Sequence, residues 1–165
     1  QSLRRWHRLP LTTLANDVSE ALLRYRPRLV CVDDTGVGGG LTDLLRQRNL
    51  RVFPVVFAAR APENSSSTAR TLQATHGGCF ANLKAALAWR LRSELEEGRL
   101  SVSPAVSRED RARLARQLLG ITYRFTESGR LLVEDAPGKS PDEAHSLMIA
   151  MAALDRAPAP RIALL

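Results

Sequence analysis

The sequence predicts an α/β domain in which a mixed sheet is flanked by helices. Short apolar runs of strand length alternate along the chain with longer segments whose apolar residues recur at helical spacing. The 165 residues, of which 44% are hydrophobic, are enough to build one domain around a buried core. The predicted organisation is one domain over residues 1–156, followed by a tail over residues 157–165 that contains Pro and Ala.

The first half of the chain predicts strands and helices in turn. Residues 3–9 predict a short strand, after which Pro10 leads into a helix that Pro27 ends. Residues 29–33 predict a buried strand, a leucine stripe after it predicts a second helix, and residues 52–57 predict another strand. This order of elements is typical of an α/β sheet.

The second half begins with residues 58–78, whose Pro, Ser cluster and glycine pair predict a long loop. Leucines at helical spacing then predict a helix that stops at Gly98. The remaining predicted elements are a brief strand at 100–102, a basic helix at 108–119, strands at 121–125 and 130–134 joined by a hairpin turn, and a final helix from 141 to about 154.

The charge balance favours a polyanionic partner. The chain has 24 Lys and Arg against 17 Asp and Glu, a formal net charge of +7. Many of the arginines, however, lie on predicted helices that also carry Glu, which is equally typical of a solvated, salt-bridged helix face. The sequence leaves both interpretations open.

The cysteines and the hydropathy predict a soluble, cytoplasmic protein. Cys31 and Cys79 lack zinc-ligand spacing, and Cys31 lies in an apolar strand, where it is expected to pack as a small hydrophobic residue. This usage is typical of a reducing, intracellular setting. No apolar run approaches the roughly 18 residues of a membrane span, and no signal-peptide pattern opens the chain.

Carboxylates at the ends of two predicted elements indicate a site for a divalent metal ion. Asp33 and Asp34 end the apolar run that begins at Val30, and a glycine-rich segment follows. Asp142 opens the final helix, and His145 lies three residues later on the same helical face. Such carboxylates can converge on a metal ion, which predicts that Asp33 and Asp142 lie roughly 4 to 8 Å apart.

Each of these residues also has a purely structural interpretation. Asp is a common turn former, so Asp33 could simply end its strand. Asp142 could belong to a helix start in which Ser140 is the N-cap, Pro141 is the first helical residue and Glu143 completes a capping box. A lone His on a helix is more often structural or exposed than a ligand. The metal site therefore depends on the two carboxylates together.

The glycine-rich segment does not match a nucleotide-binding motif. The dinucleotide fingerprint GxGxxG would need glycine at the position of Leu41. A P-loop that ends at Lys139 and Ser140 would need glycine at the position of Val133. The glycines are predicted instead to form a tight turn from strand to helix.

Four segments, in this order, resemble the C-terminal nuclease domain of the large subunit of tailed-phage terminase. They are residues 32–39 (VDDTGVGG), residues 81–98 (ANLK to EG), residues 114–119 before the hairpin, and residues 139–147 (KSPDEAHSL). The resemblance covers nearly the whole chain. It implies a ribonuclease H-like fold, related to that of Holliday-junction resolvases. It also implies that the domain cuts concatemeric viral DNA with two divalent cations held by carboxylates.

The resemblance also implies roles for individual residues. Asp33 matches the acid at the end of the family's fourth strand, and Asp142 matches an acid at the start of its final helix. His145 falls where many members have a further Asp, which implies a ligand of the second ion or a residue that orients a water. The family's first catalytic Asp lies on an opening strand upstream of residue 1, and Asp17 cannot replace it because it lies in a helical pattern. The domain is therefore expected to be N-terminally truncated, and no Walker motif of the preceding ATPase domain is found.

The resulting hypothesis is a metal-dependent endonuclease, a hydrolase acting on double-stranded DNA. Asp33, Asp142 and His145 are its predicted catalytic and metal-binding residues, with Mg²⁺ or Mn²⁺ as cofactor. Lys139 is predicted to bind a DNA phosphate. By resemblance, the further partners are the terminase ATPase domain, the small terminase subunit and the portal, in the host cytoplasm. The alternative is a non-catalytic DNA-binding or packaging-assembly module, because the first catalytic Asp is missing.

Overall fold

The computed structural model describes residues 4–27, 29–36, 38–61, 80–138 and 140–154. Within these ranges lie five helices, α1 (Leu11–Tyr25), α2 (Gly38–Gln47), α3 (Leu83–Glu96), α4 (Arg108–Leu119) and α5 (Asp142–Leu154). The same ranges contain four strands, β1 (Val30–Asp33), β2 (Val52–Val55), β3 (Thr122–Phe125) and β4 (Leu131–Glu134). The mixed α/β class that the sequence predicts is confirmed.

The strands form a parallel pair and an antiparallel pair. β1 and β2 are parallel, with Asp33 opposite Val55, whereas β3 and β4 form an antiparallel hairpin. A parallel bridge from Phe80 to Leu131 joins the segment before α3 to β4. The predicted hairpin turn is confirmed, since Gly129 has the left-handed φ of 72° that this position of the turn favours.

Local sequence explains where the helices begin and end. Asn82 caps α3, because its side chain accepts a hydrogen bond from the backbone N–H of Ala85 at 3.0 Å. Ser107 caps α4 in the same way through the N–H of Asp110. Gly98, with a φ of 69°, follows the end of α3 as predicted.

The core lies between the parallel strands and the helices α3 and α5. Its buried residues come from these three elements and are Val55, Leu87, Leu91, Met148, Ile149, Met151 and Ala152. Cys31, Phe53 and Phe57 pack against this cluster from the parallel pair and the residues after it. Cys31 therefore packs as the small hydrophobic residue that the sequence predicts. No helix among the described residues is both long enough and apolar enough to span a membrane.

Two predicted strands are wrong. Residues 4–10 form no strand, since their backbone is not paired with another strand. The side chains of Arg5 and Trp6 bond to helices, Arg5 to Asp110 at 2.9 Å and Trp6 to Asp17 at 2.8 Å. Residues 100–102 form no strand either, since the Leu100 N–H is already bonded to the carbonyl of Glu94 in α3.

Several predicted segments lie outside the described residues. Most of the predicted loop 58–78 does so, as does the predicted tail 157–165. The predicted DNA contact Lys139 is also among them.

Candidate functional site

Asp33 lies at the carboxyl end of β1, on the edge of the sheet where β2 also ends. The two strands are parallel and pair Asp33 with Val55, so the residues that follow both strands meet at this edge. One oxygen of Asp33, Oδ1, accepts a hydrogen bond from the N–H of Thr35 at 2.9 Å. Its Oδ2 has no hydrogen bond within the described part of the chain and is available to a ligand.

The glycine-rich segment turns the chain sharply from β1 into α2, as the sequence predicts. A Cβ atom at position 38 would overlap the carbonyl group of Asp33, so only glycine fits there. Gly36 has a φ of 63°, in the left-handed region that glycine adopts freely. The turn therefore brings backbone rather than side chains against the end of β1.

Asp34, directly after Asp33, carries an orphaned acceptor. Its N–H donates to the carbonyl of Val55 at 2.9 Å, but its side-chain Oδ1 is buried and has no hydrogen-bond partner. A buried carboxylate oxygen without a donor is costly, and a cation would satisfy it. This observation fits a positively charged ligand at the edge.

His145, in the second turn of α5, lies at the same edge of the sheet. Its ring meets the ring of Phe57 edge to face, with centroids 5.1 Å apart, and Phe57 is the second residue after β2. Further along α5, Met148 and Ile149 enter the core beside Cys31 of β1. The structure thus brings the first part of α5 to the edge where Asp33 lies. The predicted distance between the Asp33 and Asp142 carboxylates stays a prediction.

The sequence did not indicate the partners of His145. Asp135, just after β4, accepts a hydrogen bond at Oδ2 from the Lys84 ammonium at 2.6 Å, and its Oδ1 lies 3.0 Å from the Nε2 atom of His145. Burial acts to raise the pKa of Asp135, but the hydrogen bonds from Lys84 and His145 outweigh it, so the pKa lies below its ordinary value. Asp135 lies at the carboxyl end of a strand, as Asp33 does, and this shared pattern was the available signal.

Asp142 is exposed at the start of α5, and the capping box that offered a purely structural interpretation of it does not form. The first bond within the helix runs from the His145 N–H to the Pro141 carbonyl, so Pro141, not Ser140, is the N-cap residue. The N–H of Ala144 donates to the side-chain Oε1 of Gln117 in α4 at 3.0 Å. A side chain from another helix therefore caps α5.

Glu143 is buried instead of completing a capping box. Its carboxylate accepts a hydrogen bond from Gln117 and lies 3.6 Å from Arg5 and 3.7 Å from Arg113. Burial acts to raise the pKa of Glu143, but the Gln117 hydrogen bond and the two guanidinium charges lower it below its ordinary value. This set of contacts ties the N-terminal segment and α4 to the first turn of α5.

The donors at the edge are of the kinds that divalent cations bind. Carboxylate oxygens suit Mg²⁺ and Mn²⁺, and imidazole nitrogen suits transition metals. Within the described ranges, no three His, Cys, Asp or Glu side chains are close enough to form a metal-binding group. The donor chemistry of Asp33, Asp142 and His145 suits a divalent cation, but the described residues do not form a complete metal-binding group.

The arginines of the basic helix α4 are not all available to a polyanion. Arg113 pairs with both Glu109 and Asp110, as expected of a salt-bridged helix face. Similar pairs occur on α3 between Arg92 and Glu96 and between Arg90 and Glu94.

The chain is similar in fold to solved structures of phage terminase nuclease domains. The chain is similar to a lysine-to-alanine variant of the nuclease domain of the large terminase subunit of bacterial virus Sf6 with manganese, with a TM-score of 0.66 and 19% identity over 87% of this chain and 74% of that one. It is also similar to the large terminase nuclease of thermophilic phage G20c with bound cobalt, with a TM-score of 0.57 and 16% identity over 89% of this chain and 64% of that one.

A G20c structure with bound magnesium is similar at a TM-score of 0.55 and 17% identity, over 87% of this chain and 62% of that one. The chain thus spans less than two thirds of the G20c nuclease structures. A comparison with protein-family models found no match, and a comparison with curated proteins found none either. These likenesses show that the chain has the same fold as these terminase nuclease domains, as the sequence resemblance predicts.

Proposed function

We propose that this chain is a metal-dependent DNA endonuclease domain of a viral DNA-packaging terminase that cuts concatemeric double-stranded DNA. The observation that carries the proposal is the contact between Phe57 and His145 at 5.1 Å, which brings the start of α5 to the sheet edge where Asp33 ends β1. In an α/β fold, ligands bind at the carboxyl ends of parallel strands. The fold shared with terminase nucleases supports the choice of reaction.

In this proposal, Asp33, Asp142 and His145 hold Mg²⁺ or Mn²⁺. When bound, such ions supply a Lewis acid that activates a water and stabilises the leaving oxygen of the phosphodiester. The structures of similar nucleases with manganese, cobalt and magnesium support the use of divalent cations. Asp33 offers Oδ2 toward the ligand, while the Thr35 N–H bonded to Oδ1 holds the carboxylate in position.

The substrate and the assembly partners follow from the same proposal. The net charge of +7 favours a polyanion, and phosphate contacts by Lys and Arg bind DNA without reading its sequence. The terminase ATPase domain, the small terminase subunit and the portal are the proposed protein partners, and the host cytoplasm is the proposed location.

The alternative function, a non-catalytic DNA-binding or packaging-assembly module, is favoured by one contact. The ammonium of Lys84 lies 2.6 Å from Asp135 and neutralises the carboxylate beside His145. This arrangement reduces the negative charge that would attract a metal ion to that part of the edge.

A plasmid-nicking assay with Mn²⁺ distinguishes the two functions. We expect slow, Mn²⁺-dependent nicking by the chain that Asp33→Ala abolishes. Asp43→Ala is the matched control, because Asp43 is an exposed acid on α2 and its loss should leave nicking unchanged. If the chain binds duplex DNA but never nicks it, or if Asp33→Ala nicks as fast as the parent chain, the nuclease proposal is wrong.

The predicted DNA contact of Lys139 has its own test. Lys139→Ala should weaken binding to unrelated duplexes and lower the slope of log affinity against log salt by about one, as for a single phosphate contact. Fluorescence anisotropy at several salt concentrations measures this slope, with Arg111→Ala on α4 as the comparison variant. A clear loss for Arg111→Ala with no change for Lys139→Ala would put the DNA on another face.

A further inference from the structure

The imidazole of His145 is held from two directions. On one side, its Nε2 atom lies 3.0 Å from Oδ1 of Asp135. On another, the ring of Phe57 meets the imidazole at an interplanar angle of 77°. The His145 side chain is only 15% exposed, so its ring has little freedom to turn.

Asp135 determines which nitrogen of His145 carries the hydrogen. Its Oδ2 lies 2.6 Å from the ammonium of Lys84, and this ion pair keeps Asp135 in its charged form. An ionised carboxylate can only accept hydrogen bonds, so Nε2 must donate. The neutral ring then carries its lone pair on Nδ1.

The Nδ1 atom is left available. Within the described part of the chain, Nδ1 makes no hydrogen bond, although the other ring nitrogen is bonded. A metal-binding histidine has this arrangement, in which one nitrogen donates to a carboxylate while the other faces the ion. The carboxylate orients the ring and makes the free nitrogen a stronger ligand.

We propose that His145 binds a divalent transition-metal ion through Nδ1, with Asp135 as the positioning residue behind it, so that the site prefers Co²⁺ to Mg²⁺. This inference rests on the proposed function, in that it takes the Asp33 edge to bind a divalent cation. Its physical basis is the donor atom: imidazole nitrogen is a good ligand for transition metals, whereas Mg²⁺ favours oxygen.

Isothermal titration of the metal-free chain with Co²⁺ and with Mg²⁺ measures the preference. Co²⁺ should bind more tightly than Mg²⁺. Asp135→Ala should lower the affinity for Co²⁺ about 10- to 100-fold, as the loss of such a carboxylate does in other metal sites. Glu134→Ala is the matched control, since Glu134 is the neighbouring acid, is exposed and pairs with Arg124 instead. It should leave both affinities unchanged.

Replacing the nitrogen ligand tests the preference directly. His145→Asp should reverse the order, so that Mg²⁺ gains and Co²⁺ loses affinity. If Asp33→Ala abolishes Co²⁺ binding but His145→Asp and Asp135→Ala leave the Co²⁺ to Mg²⁺ ratio unchanged, this inference is wrong and the metal site of the proposed function stands. If neither ion binds, or Asp33→Ala has no effect on binding, the proposed function itself loses its metal site.

A measurement on the unaltered chain covers the case in which a variant does not fold. Long-range ¹H–¹⁵N correlation spectra of the metal-free protein in mildly alkaline buffer report which ring nitrogen of each histidine carries the hydrogen. His145 should show hydrogen on Nε2 and none on Nδ1, and Co²⁺ should broaden the Nδ1 signal first. Hydrogen on Nδ1 would overturn the inference.

Discussion

Two charged networks contact the first turns of α5 and bury a carboxylate in different ways. Glu143 is 6% exposed, and its carboxylate contacts Gln117 and Arg113 of α4 and Arg5 of the N-terminal segment. Asp135 is 27% exposed and is shared between Lys84 and His145. The Gln117 amide and the guanidinium groups of Arg5 and Arg113 all contact the Glu143 carboxylate, whereas the His145 ring keeps one nitrogen unbonded within the described residues.

The difference separates a structural role from the metal-binding role proposed for His145. The Glu143 network joins three segments and supplies the cap of α5, so its contribution is to stability. The Asp135 network orders one ring at the edge of the sheet and leaves a ligand atom available. A polar cluster in which every group is satisfied rigidifies a fold, and one with an available atom can bind.

The largest expected effect on stability comes from Glu143. Glu143→Ala should lower the free energy of unfolding by about 2 to 3 kcal/mol, because it leaves Gln117 and the guanidinium of Arg113 without their buried acceptor. Asp135→Ala should cost about 1 kcal/mol, since its partners reach solvent more easily. Urea unfolding followed by circular dichroism measures both. Equal losses would remove the distinction between the two networks.

Gln117 tests the cap that α5 receives from α4. Gln117→Ala should lower the free energy of unfolding by about 1 to 2 kcal/mol, because the Ala144 N–H and the Glu143 carboxylate both lose a partner. The control is Gln47→Ala at the exposed end of α2, which should change stability by less than about 0.5 kcal/mol. A loss no larger than that of the control would show that α5 does not depend on this cap.

The response to acid should be smaller than the effect of deleting Glu143, because a protonated carboxyl group keeps its shape and can still accept a hydrogen bond. Both carboxylates have folded-state pKa values below their ordinary values, 4.5 for Glu and 3.8 for Asp. Their stabilisation is therefore complete above these ordinary values and is lost as the pH falls through the lowered folded-state values. Unfolding measured from pH 6 down to about pH 3 should show this loss, and Glu143→Gln should flatten it. A Glu143→Gln curve as steep as that of the parent chain would contradict the assignment.

The smallest effect is expected from Arg5. Its side chain is 53% exposed, so water and salt screen its pairs with Asp110 and Glu143. Arg5→Ala should therefore lower the free energy of unfolding less than Gln117→Ala does. Because salt at about 0.5 M screens exposed charges, it should remove most of the difference in stability between Arg5→Ala and the parent chain. A loss as large as that of Glu143→Ala would mean that the N-terminal segment anchors α5.

The sequence was a good guide to elements that depend on neighbouring residues. The end of β1 at Asp33, the glycine turn and the hairpin were all predicted, because alternation, φ preferences and turn residues act over a few positions. The predicted strands at 3–9 and 100–102 were wrong because a strand needs a partner. Arg5 and Leu100 bond to helices instead, and nothing nearby in the sequence indicates this.

The candidate site divides in the same way. Two local patterns indicated the candidate residues. An acid at the end of a predicted strand indicated Asp33, and a spacing of three residues on a predicted helix linked Asp142 with His145. The capping box around Ser140 was also a local pattern, yet Gln117, 27 residues from Ala144, took over the cap. A long-range acceptor therefore displaced a local one.

Local patterns along the chain were sufficient for the α/β class, for the acid at the end of β1 and for the helix that carries His145, because backbone hydrogen bonding and the burial of one face depend on short periodicities. Only the packed molecule decided that Asp135 faces His145, that Lys84, 51 residues away, pairs with that carboxylate, and that Glu143 is buried. These contacts depend on how α3, β4 and α5 come together. Side-chain partners at such separations are selected by the packing of whole elements, which no short stretch of sequence encodes.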